Sequence, residues 1–497
     1  MKLSYLLPNA TDYRSDYSAE EIEICGVCDN TEDMQNGDVF IAKRGKNFDP
    51  LHLLSKMEQC GISAIILEDG HNLPFVTDIP CFYIRDIEEG SAHIWSRYYR
   101  RPEKELSLIG ITGTNGKTTT AAILSHLLNT SGEKCGYIGT LGVFSAAKER
   151  KDLKEGNMTT PSPKVLFKAL RALCDDGCRY AVIEVSSHAL IQKRVSPLCF
   201  RLSLFTNLSE DHLDYHKTMD AYFDAKALLF KQSAHALVNI DDPYGKVLYE
   251  KLSIPKSSLG ILSEAAYSLT DLNESDPRGA QYTCCGENIY FPVRTNLCGV
   301  FNLYNSLAAI SASIILGICP DEITKGLLTL PAVRGRMERL SLEKYAVPFS
   351  VIIDYAHTPD ALKAVLSSAR RFTRGRVIAL FGAGGDREKE KRAKMGMIAE
   401  SYADFIFVTT DNSRSETPLV IIRDILSGMA KEEKRRVICN RKTAIEEALS
   451  FAREGDTLLL LGKGHEKYII DKNGESPFCE RKIVEDFFEK RARTYDC

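Results

Sequence analysis

No apolar stretch in this chain approaches the ~18 uninterrupted residues that a membrane-spanning helix needs. An excess of charge of either sign is also missing: 64 Lys and Arg stand against 67 Asp and Glu, a net charge of -3. That balance gives no ground for non-specific attraction to nucleic acid or to an anionic membrane surface. Regularly spaced cysteine pairs are absent. The 15 cysteines are scattered and odd in number, unlike the disulfide framework of a small secreted domain. Cys25-Gly-Val-Cys28 has metal or redox spacing, but no second such pair completes a zinc site and no strand–helix redox context surrounds it. The preferred reading is free thiols packed as small hydrophobes in a reducing compartment. The segment Met1-Lys-Leu-Ser-Tyr-Leu-Leu-Pro8 has neither the apolar core nor the cleavage site of a secretory signal. Internal repeats and low-complexity segments are missing as well. These absences lead to the expectation of a cytoplasmic protein with no nucleic-acid partner and no membrane span; a monomer is also expected.

What is present is an ordinary globular composition, 44% hydrophobic and 26% charged. The 497 residues suggest three domains at about 150 residues each. Residues 1–100 carry short strand-like runs (Asp38–Ala42, Ser63–Leu67, Cys81–Ile84) and end at a linker-like Tyr98-Tyr-Arg-Arg-Pro102. Residues 101–334 alternate strands and helices: Leu108–Ile111, the helical stretch after Lys117, Tyr180–Val185 and Leu202–Thr206. That spacing implies βαβ units with ligands at the carboxyl ends of a parallel sheet. A turn-rich interval from Ser257 to Arg294 reads as hairpins. Residues 335–497 repeat the doubly wound pattern, with strands at Phe349–Ile353, Arg376–Phe381, Asp404–Val408 and Thr457–Leu461. The expected fold class is α/β: a smaller N-terminal domain, a central ATPase-type doubly wound sheet and a C-terminal Rossmann-like domain.

One segment decides the chemistry of the middle region. An apolar run meets Gly113-Thr-Asn-Gly-Lys-Thr-Thr119, and a helix-forming stretch follows. In strand–loop–helix context this is a phosphate loop: backbone N–H groups and the helix N-terminus face an anion. Lys117 adds a mobile positive charge and the Thr118 hydroxyl suits Mg²⁺. The loop is a shortened form, since Ile111 stands where the longer pattern has its first glycine. ATP is the expected ligand. A second signal is Ile183-Glu-Val-Ser-Ser-His188, where a strand ends in a carboxylate placed to hold a metal. A third, Asn207-Leu-Ser-Glu-Asp-His-Leu-Asp-Tyr-His216, is dense in metal-capable groups.

With these motifs the chain resembles the Mur ligases, and within them the type that extends UDP-N-acetylmuramoyl-L-alanyl-D-glutamate. Further matches are Thr159-Thr-Pro161, Asp211–Tyr215, Gly299–Asn305, Gly335-Arg-Met-Glu338, Asp354–Pro359, Gly382–Arg387 and Gly462-Lys-Gly-His-Glu466. The resemblance implies that ATP phosphorylates a substrate carboxylate and that the amino group of an incoming amino acid attacks the acyl phosphate. It implies that Gly113, Thr114, Asn115, Gly116, Lys117, Thr118 and Thr119 bind ATP, with Asn302, Arg336, Asp354 and His357. Thr118, with Lys117 at the outer phosphates, would hold one Mg²⁺, Glu184 and His212 would hold a second, and a carbamoylated Lys226 would contact Mg²⁺; Lys117, Glu184, His212 and Lys226 are the implied catalytic residues. Without the resemblance, Lys226 reads as an ordinary lysine on an amphipathic helix. Asn302 would read as a turn residue and His357 as a packed loop histidine. Thr159, Thr160, Ser186, Gln192 and Arg194 match positions that hold the muramoyl dipeptide.

The added amino acid turns on Asp411-Asn-Ser-Arg414. The diaminopimelate-adding relatives carry Asp-Asn-Pro-Arg, whose Arg can bind the second carboxylate in a two-pronged hydrogen bond. Asn412 and Arg414 are retained, while Ser413 relaxes a φ that proline fixes near -65°. Arg387, Asp411, Gly462 and Glu466 match other diaminopimelate positions, with Glu466 suited to the distal ammonium. Diaminopimelate is the expected amino acid; L-lysine or L-ornithine, a folylpolyglutamate synthetase-like ligase and a catalytically silent nucleotide-binding module are the alternatives. The N-terminal region departs most. The family's Asp-Ser-Arg near uridine appears as Asp29-Asn-Thr31, leaving Asn30 as the candidate contact, and its Asp-Gly-His turn appears within Asn47–His52. Near the end, Phe478-Cys-Glu-Arg481 replaces a more acidic segment.

Overall fold

Runs such as Thr457-Leu-Leu-Leu-Leu461 are buried at every position, the pattern of a strand covered on both faces. In the computed structural model that strand lies between Ser350–Asp354 and Val377–Phe381, parallel to both. Phe405–Val408 and Arg435–Val437 extend the parallel sheet, and the short Glu338–Arg339 closes its other edge antiparallel. Alternate residues build two cores: Ala379, Phe381, Ile406, Leu459 and Leu461 on one face, Ile378, Leu380, Phe407, Leu458 and Leu460 on the other. Helices Pro359–Phe372, Glu390–Tyr402 and Pro418–Leu426 supply the first face, Arg441–Phe451 and Glu480–Tyr495 the second. The doubly wound C-terminal region expected from the sequence is therefore present.

The structure describes residues 1–7, 13–45, 48–153, 158–273 and 279–495, and the chain forms two compact units. Asn47, which opens the divergent turn noted above, lies outside the described residues. The first unit takes residues from 1–112, 132–204 and 223–236. It holds a five-stranded sheet ordered Tyr13–Arg14, Cys81–Ile84, Ala64–Glu68, Asp38–Ile41, Gly26–Cys28, parallel except at Tyr13–Arg14. The helix Ile87–Tyr98 beside it starts at Asp86, whose side chain accepts from Glu89 N at 2.9 Å. The same unit pairs Ser107–Thr112 with Tyr180–Glu184, and that strand with Cys135–Gly139, all parallel. This brings the carboxyl ends of Ser107–Thr112 and Tyr180–Glu184 side by side, where ligands of open α/β sheets bind.

The second unit takes residues from 113–131, 205–222 and 237 onward. Besides the C-terminal sheet it contains the helix Lys117–Thr130, which packs on Val300–Ile315. The antiparallel strands Tyr267–Asn273, Ala280–Gly286 and Ile289–Thr295 are the expected hairpins. Of the Cys25-Gly-Val-Cys28 pair, Cys25 is exposed and Cys28 buried. Burial raises the Cys28 thiol pKa, as suits a packed thiol rather than a reactive one. No helix among the described residues is long and apolar enough to cross a membrane.

Candidate functional site

Two glycines make the phosphate loop possible. Gly113 has φ 144°, and a Cβ there would stand 1.9 Å from Thr206 Oγ1; Gly116 has φ 87° and would meet Asn305 Oδ1 at 2.3 Å. Only glycine accommodates both the left-handed backbone and the crowding. The loop is tied down by the segment 205–222: Thr114 N donates to Asn207 O at 2.8 Å and Asn115 N to Asn207 Oδ1 at 3.0 Å. Thr206 Oγ1 donates to Asn115 O at 2.6 Å. Lys117 folds back, its Nζ donating to Gly113 O and Thr114 O, each at 2.8 Å. Thr118 and Thr119 are buried at the start of the helix.

The second unit brings two of the expected nucleotide residues, Arg336 and Asn302, to this loop. Arg336 Nη2 donates to Thr118 Oγ1 at 3.3 Å, and its guanidinium lies over the Tyr355 ring. Asn302 is 1% exposed and reaches the loop indirectly. Its Oδ1 accepts from Asn305 Nδ2 at 3.1 Å, and Asn305 Oδ1 accepts from Thr120 Oγ1 at 3.4 Å. Asp354 accepts from Met337 N at 2.7 Å and Ala356 N at 2.8 Å. Burial pushes its carboxyl above the usual carboxylate range, while Arg336 and those two N–H groups oppose the shift. His357 Nδ1 lies 2.8 Å from Tyr355 O; burial, and then Lys391, lowers its pKa, which favours the neutral imidazole. His212 adopts φ 57° and remains half exposed, its Nε2 3.5 Å from Asp211 Oδ2. Burial opposes ionisation of Asp211, but His212, His357 and Lys391 together hold its carboxyl below the ordinary value.

In the first unit Glu184 is wholly buried at the end of its strand. Its Oε1 accepts from the Tyr137 hydroxyl and from Thr140 N at 3.0 Å, and its Oε2 from Thr140 Oγ1 at 3.1 Å. Gly139 leaves room for it, since a Cβ there would lie 2.3 Å from Oε1. Thr140 Oγ1 is 3.2 Å from Thr159 Oγ1. Thr160 Oγ1 donates to Glu184 O at 2.8 Å and accepts from Ser186 N at 2.9 Å. Arg194 closes the cluster, donating to Thr160 O at 2.8 Å and to Gln192 Oε1 at 2.5 Å. Thr159, Thr160, Ser186, Gln192 and Arg194 thus gather beside Glu184, as one site would need. Lys226 is 1% exposed, not the solvated lysine of an ordinary amphipathic helix. Asn30 is exposed, and its Oδ1 accepts from Glu32 N at 3.1 Å in a local turn.

The expected amino-acid residues meet on three loops of the second unit. Asn412 Nδ2 donates to Glu466 Oε2 at 3.0 Å, and Asn412 Oδ1 accepts from Lys463 Nζ and Ile470 N, both at 2.9 Å. Arg414 sits at φ 50°, its N donating to Ile470 O at 3.1 Å and its Nη1 to Gly385 O at 2.8 Å. Gly462 has φ 106°, and a Cβ on it would stand 2.7 Å from Asp411 Oδ2. Burial works against ionisation of Asp411, but Lys463 and Arg441 outweigh it and hold the carboxyl low. Arg387 is exposed on the neighbouring loop.

Sequence reasoning missed several supporting residues. Tyr137 and Thr140, which orient Glu184, precede it by more than forty positions and belong to no motif. Arg441 donates to Thr410 O at 3.0 Å, Leu461 O at 2.8 Å and Glu480 Oε1 at 2.9 Å, pinning the ends of two strands that lead into the pocket. Only Lys463, inside Gly462–Glu466, had a signal that could have found it. Among the described residues no cluster of three or more His, Cys, Asp or Glu side chains forms a metal site.

Known proteins accord with this geometry. The Mur ligase middle domain matches residues 111–313, and the Mur ligase glutamate ligase domain matches residues 335–464. The UDP-N-acetylmuramoyl-L-alanyl-D-glutamate--2,6-diaminopimelate ligase of Aquifex aeolicus (strain VF5) is 38% identical over 482 residues, covering 96% of each chain. A solved structure of a ligase with that same description aligns with a TM-score of 0.69 at 26% identity, covering 99% of each chain. MurF ligase from Thermotoga maritima in complex with ADP shares the fold, with a TM-score of 0.64 at 19% identity over 95% of this chain and 99% of its own. From the phosphate loop to the C-terminal pocket, this chain belongs to the Mur ligase family.

Proposed function

We propose that the chain is an ATP-dependent ligase joining meso-2,6-diaminopimelate to UDP-N-acetylmuramoyl-L-alanyl-D-glutamate, a step of peptidoglycan precursor synthesis. The observation that carries the choice of amino acid is Arg414, held at positive φ on the loop that also places Asn412 against Glu466. Arg414 is the fork for the distal carboxylate, and Glu466 is the acceptor for the distal ammonium. L-lysine has no such carboxylate and would leave the guanidinium unpaired. Arg387, Asp411, Asn412 and Gly462 complete the amino-acid pocket. Residues 1–100 take the UDP-sugar, with Asn30 as a uridine contact; residues 101–334 take ATP and residues 335–497 the amino acid.

A carboxylate resists an amine because its leaving group is oxide; phosphorylation by ATP supplies a better one. Three anionic partners then approach each other, and fixed cations and N–H groups aimed at the developing charge make this possible. Lys117 Nζ exchanges the carbonyls of Gly113 and Thr114 for phosphate oxygens, and the N-terminus of Lys117–Thr130 faces the same anion. Asn302, Arg336, Asp354 and His357 hold the nucleotide. Thr159, Thr160, Ser186, Gln192 and Arg194 orient the dipeptide whose terminal carboxylate reacts.

The Thr118 hydroxyl and the Glu184 carboxylate are hard oxygen donors and fit Mg²⁺. Thr118 would hold one ion, Glu184 and His212 a second, Lys226 once carbamoylated would add an oxygen ligand, and the ions would supply charge neutralisation. The buried position of Lys226 supports the modification, which turns a sequestered cation into an oxygen ligand. The same reading has the enzyme act as a monomer on small-molecule substrates.

Phosphate release by the purified chain tests this, with ATP, Mg²⁺, the muramoyl dipeptide and meso-diaminopimelate, L-lysine or L-ornithine. Release with diaminopimelate alone is expected. Preference for lysine or ornithine keeps the ligase but overturns the role of Arg414, and silence with all three overturns the reading.

A further inference from the structure

Among the described residues Lys463 is the one lysine buried in the proposed amino-acid pocket, and its surroundings give it more to do than fill space. Its side chain is 0% exposed. Nζ donates to Glu466 Oε2 at 2.8 Å and to Asn412 Oδ1 at 2.9 Å, and it lies 3.7 Å from Asp411 Oδ1. The ring of Tyr468 covers it at 5.5 Å. An ammonium withdrawn from water is tolerated only when charge and hydrogen bonds replace its hydration, and here two carboxylates and an amide oxygen do so. Arg441, on the far side of Asp411 at 3.9 Å from Oδ2, pairs instead with Glu480.

The same contacts explain how the loop keeps its shape without a proline at position 413. Lys463 Nζ and Ile470 N both point at Asn412 Oδ1, which fixes the amide with its NH₂ toward Glu466. Ile470 O accepts from Arg414 N at 3.1 Å, and Gly385 N donates to Asn412 O at 2.9 Å. Asn412 is clamped through its side chain and its carbonyl, and Lys463 is the cation that holds its Oδ1.

We propose that Lys463 is a specificity-determining positioning residue. It fixes the Glu466 carboxylate and the Asn412 amide, and through Asn412 the Arg414 loop, in the arrangement that receives both charges at the distal end of the amino acid. Lys463 touches the receiving groups rather than the substrate. The proposal rests on the amino-acid pocket assigned above.

The test measures KM and kcat for meso-diaminopimelate, KM for ATP and the diaminopimelate-to-lysine preference in the full chain and in Lys463→Met, Lys463→Arg, Glu466→Gln and the double variant Lys463→Met/Glu466→Gln. Loss of a hydrogen-bonded charge of this kind predicts a rise of about tenfold to a hundredfold in KM for diaminopimelate in Lys463→Met. KM for ATP should stay within about twofold, and Lys463→Arg should recover part of the loss because it keeps the charge. Because Lys463 acts through Glu466, the two substitutions should be non-additive, the double variant binding diaminopimelate no worse than Glu466→Gln. The double variant removes both members of the buried pair, so it also serves where Lys463→Met alone does not fold. An unchanged KM for diaminopimelate in Lys463→Met, equal rises for ATP and diaminopimelate, or additive losses in the double variant overturn the proposal. Failure of the unsubstituted chain with every amino acid overturns the pocket assignment instead.

Discussion

Lys117 donates to two carbonyls of its own loop, so its ammonium is already aimed into the space that the loop encloses. Lys117→Ala removes the only side-chain cation that the loop itself carries, and should lower ATP-dependent phosphate release by about a thousandfold or more. A stopped assay that finds a tenth of the original rate removes Lys117 from the chemistry. Arg414→Ala should raise KM for diaminopimelate by roughly a hundredfold and leave KM for ATP nearly unchanged; initial-rate kinetics with each substrate varied separate the two. Glu416 offers a pH readout away from the site. The buried Arg392 guanidinium, bonded to it at 2.7 and 2.9 Å, lowers its carboxyl from 4.5 to about 2. A depressed carboxylate contributes stability that is complete above its ordinary value and is lost as pH falls through the folded one. Between pH 4.5 and about 2, thermal melts should show the original protein losing more stability than Glu416→Gln. At this scale the motif residues were legible because their chemistry is local, as at Lys117 and Glu184. Tyr137 and Arg441 were not, because an ordinary core tyrosine and a surface arginine look the same in sequence.

Strands were legible to within a residue or two wherever burial is two-sided. Thr457–Leu461 matches at both ends; Cys81–Ile84 does too, although its burial alternates between full and partial. The strand Phe200–Phe205 begins ahead of the expected Leu202 because exposed Arg201 interrupts the apolar run without interrupting the strand. What no local pattern shows is how loops meet. A Cβ on Gly385 would lie 1.9 Å from Ser413 O, a backbone atom that cannot swing aside. Gly385→Ala should therefore part the two loops and raise KM for diaminopimelate by about tenfold or more, with nucleotide binding as the control. Ser413 supplies the opposite case. The clamp on Asn412 already holds this loop, and Ser413 donates no backbone hydrogen bond among the described residues. Ser413→Pro should keep KM for diaminopimelate within about twofold and stabilise the chain by roughly 0.4–1 kcal/mol. A large loss of activity shows that the serine backbone is needed as it stands.

For the whole molecule, the sequence reads as contiguous segments, whereas each compact unit is assembled from separate runs of chain. The helix Lys117–Thr130 finds its partner at Val300–Ile315, far along the chain, where apolar periodicity announces a buried face but not its neighbour. Chelation with EDTA should abolish phosphate release, and Mg²⁺ should restore it, since the oxygen donors proposed for it, Thr118 and Glu184, each suit a hard cation. Activity that survives chelation overturns the metal assignment.

Arg441 and Glu480 have a further consequence. Both are buried, and Arg441 pins Thr410 O and Leu461 O, the strand ends from which the amino-acid loops depart. Its counter-charge opens the final helix, Glu480–Tyr495. A chain growing on the ribosome therefore carries every phosphate-binding residue long before it carries the group that lets Arg441 be buried. The proposed amino-acid loops thus gain their anchor only once Glu480 has been synthesised, later than the phosphate loop gains its own.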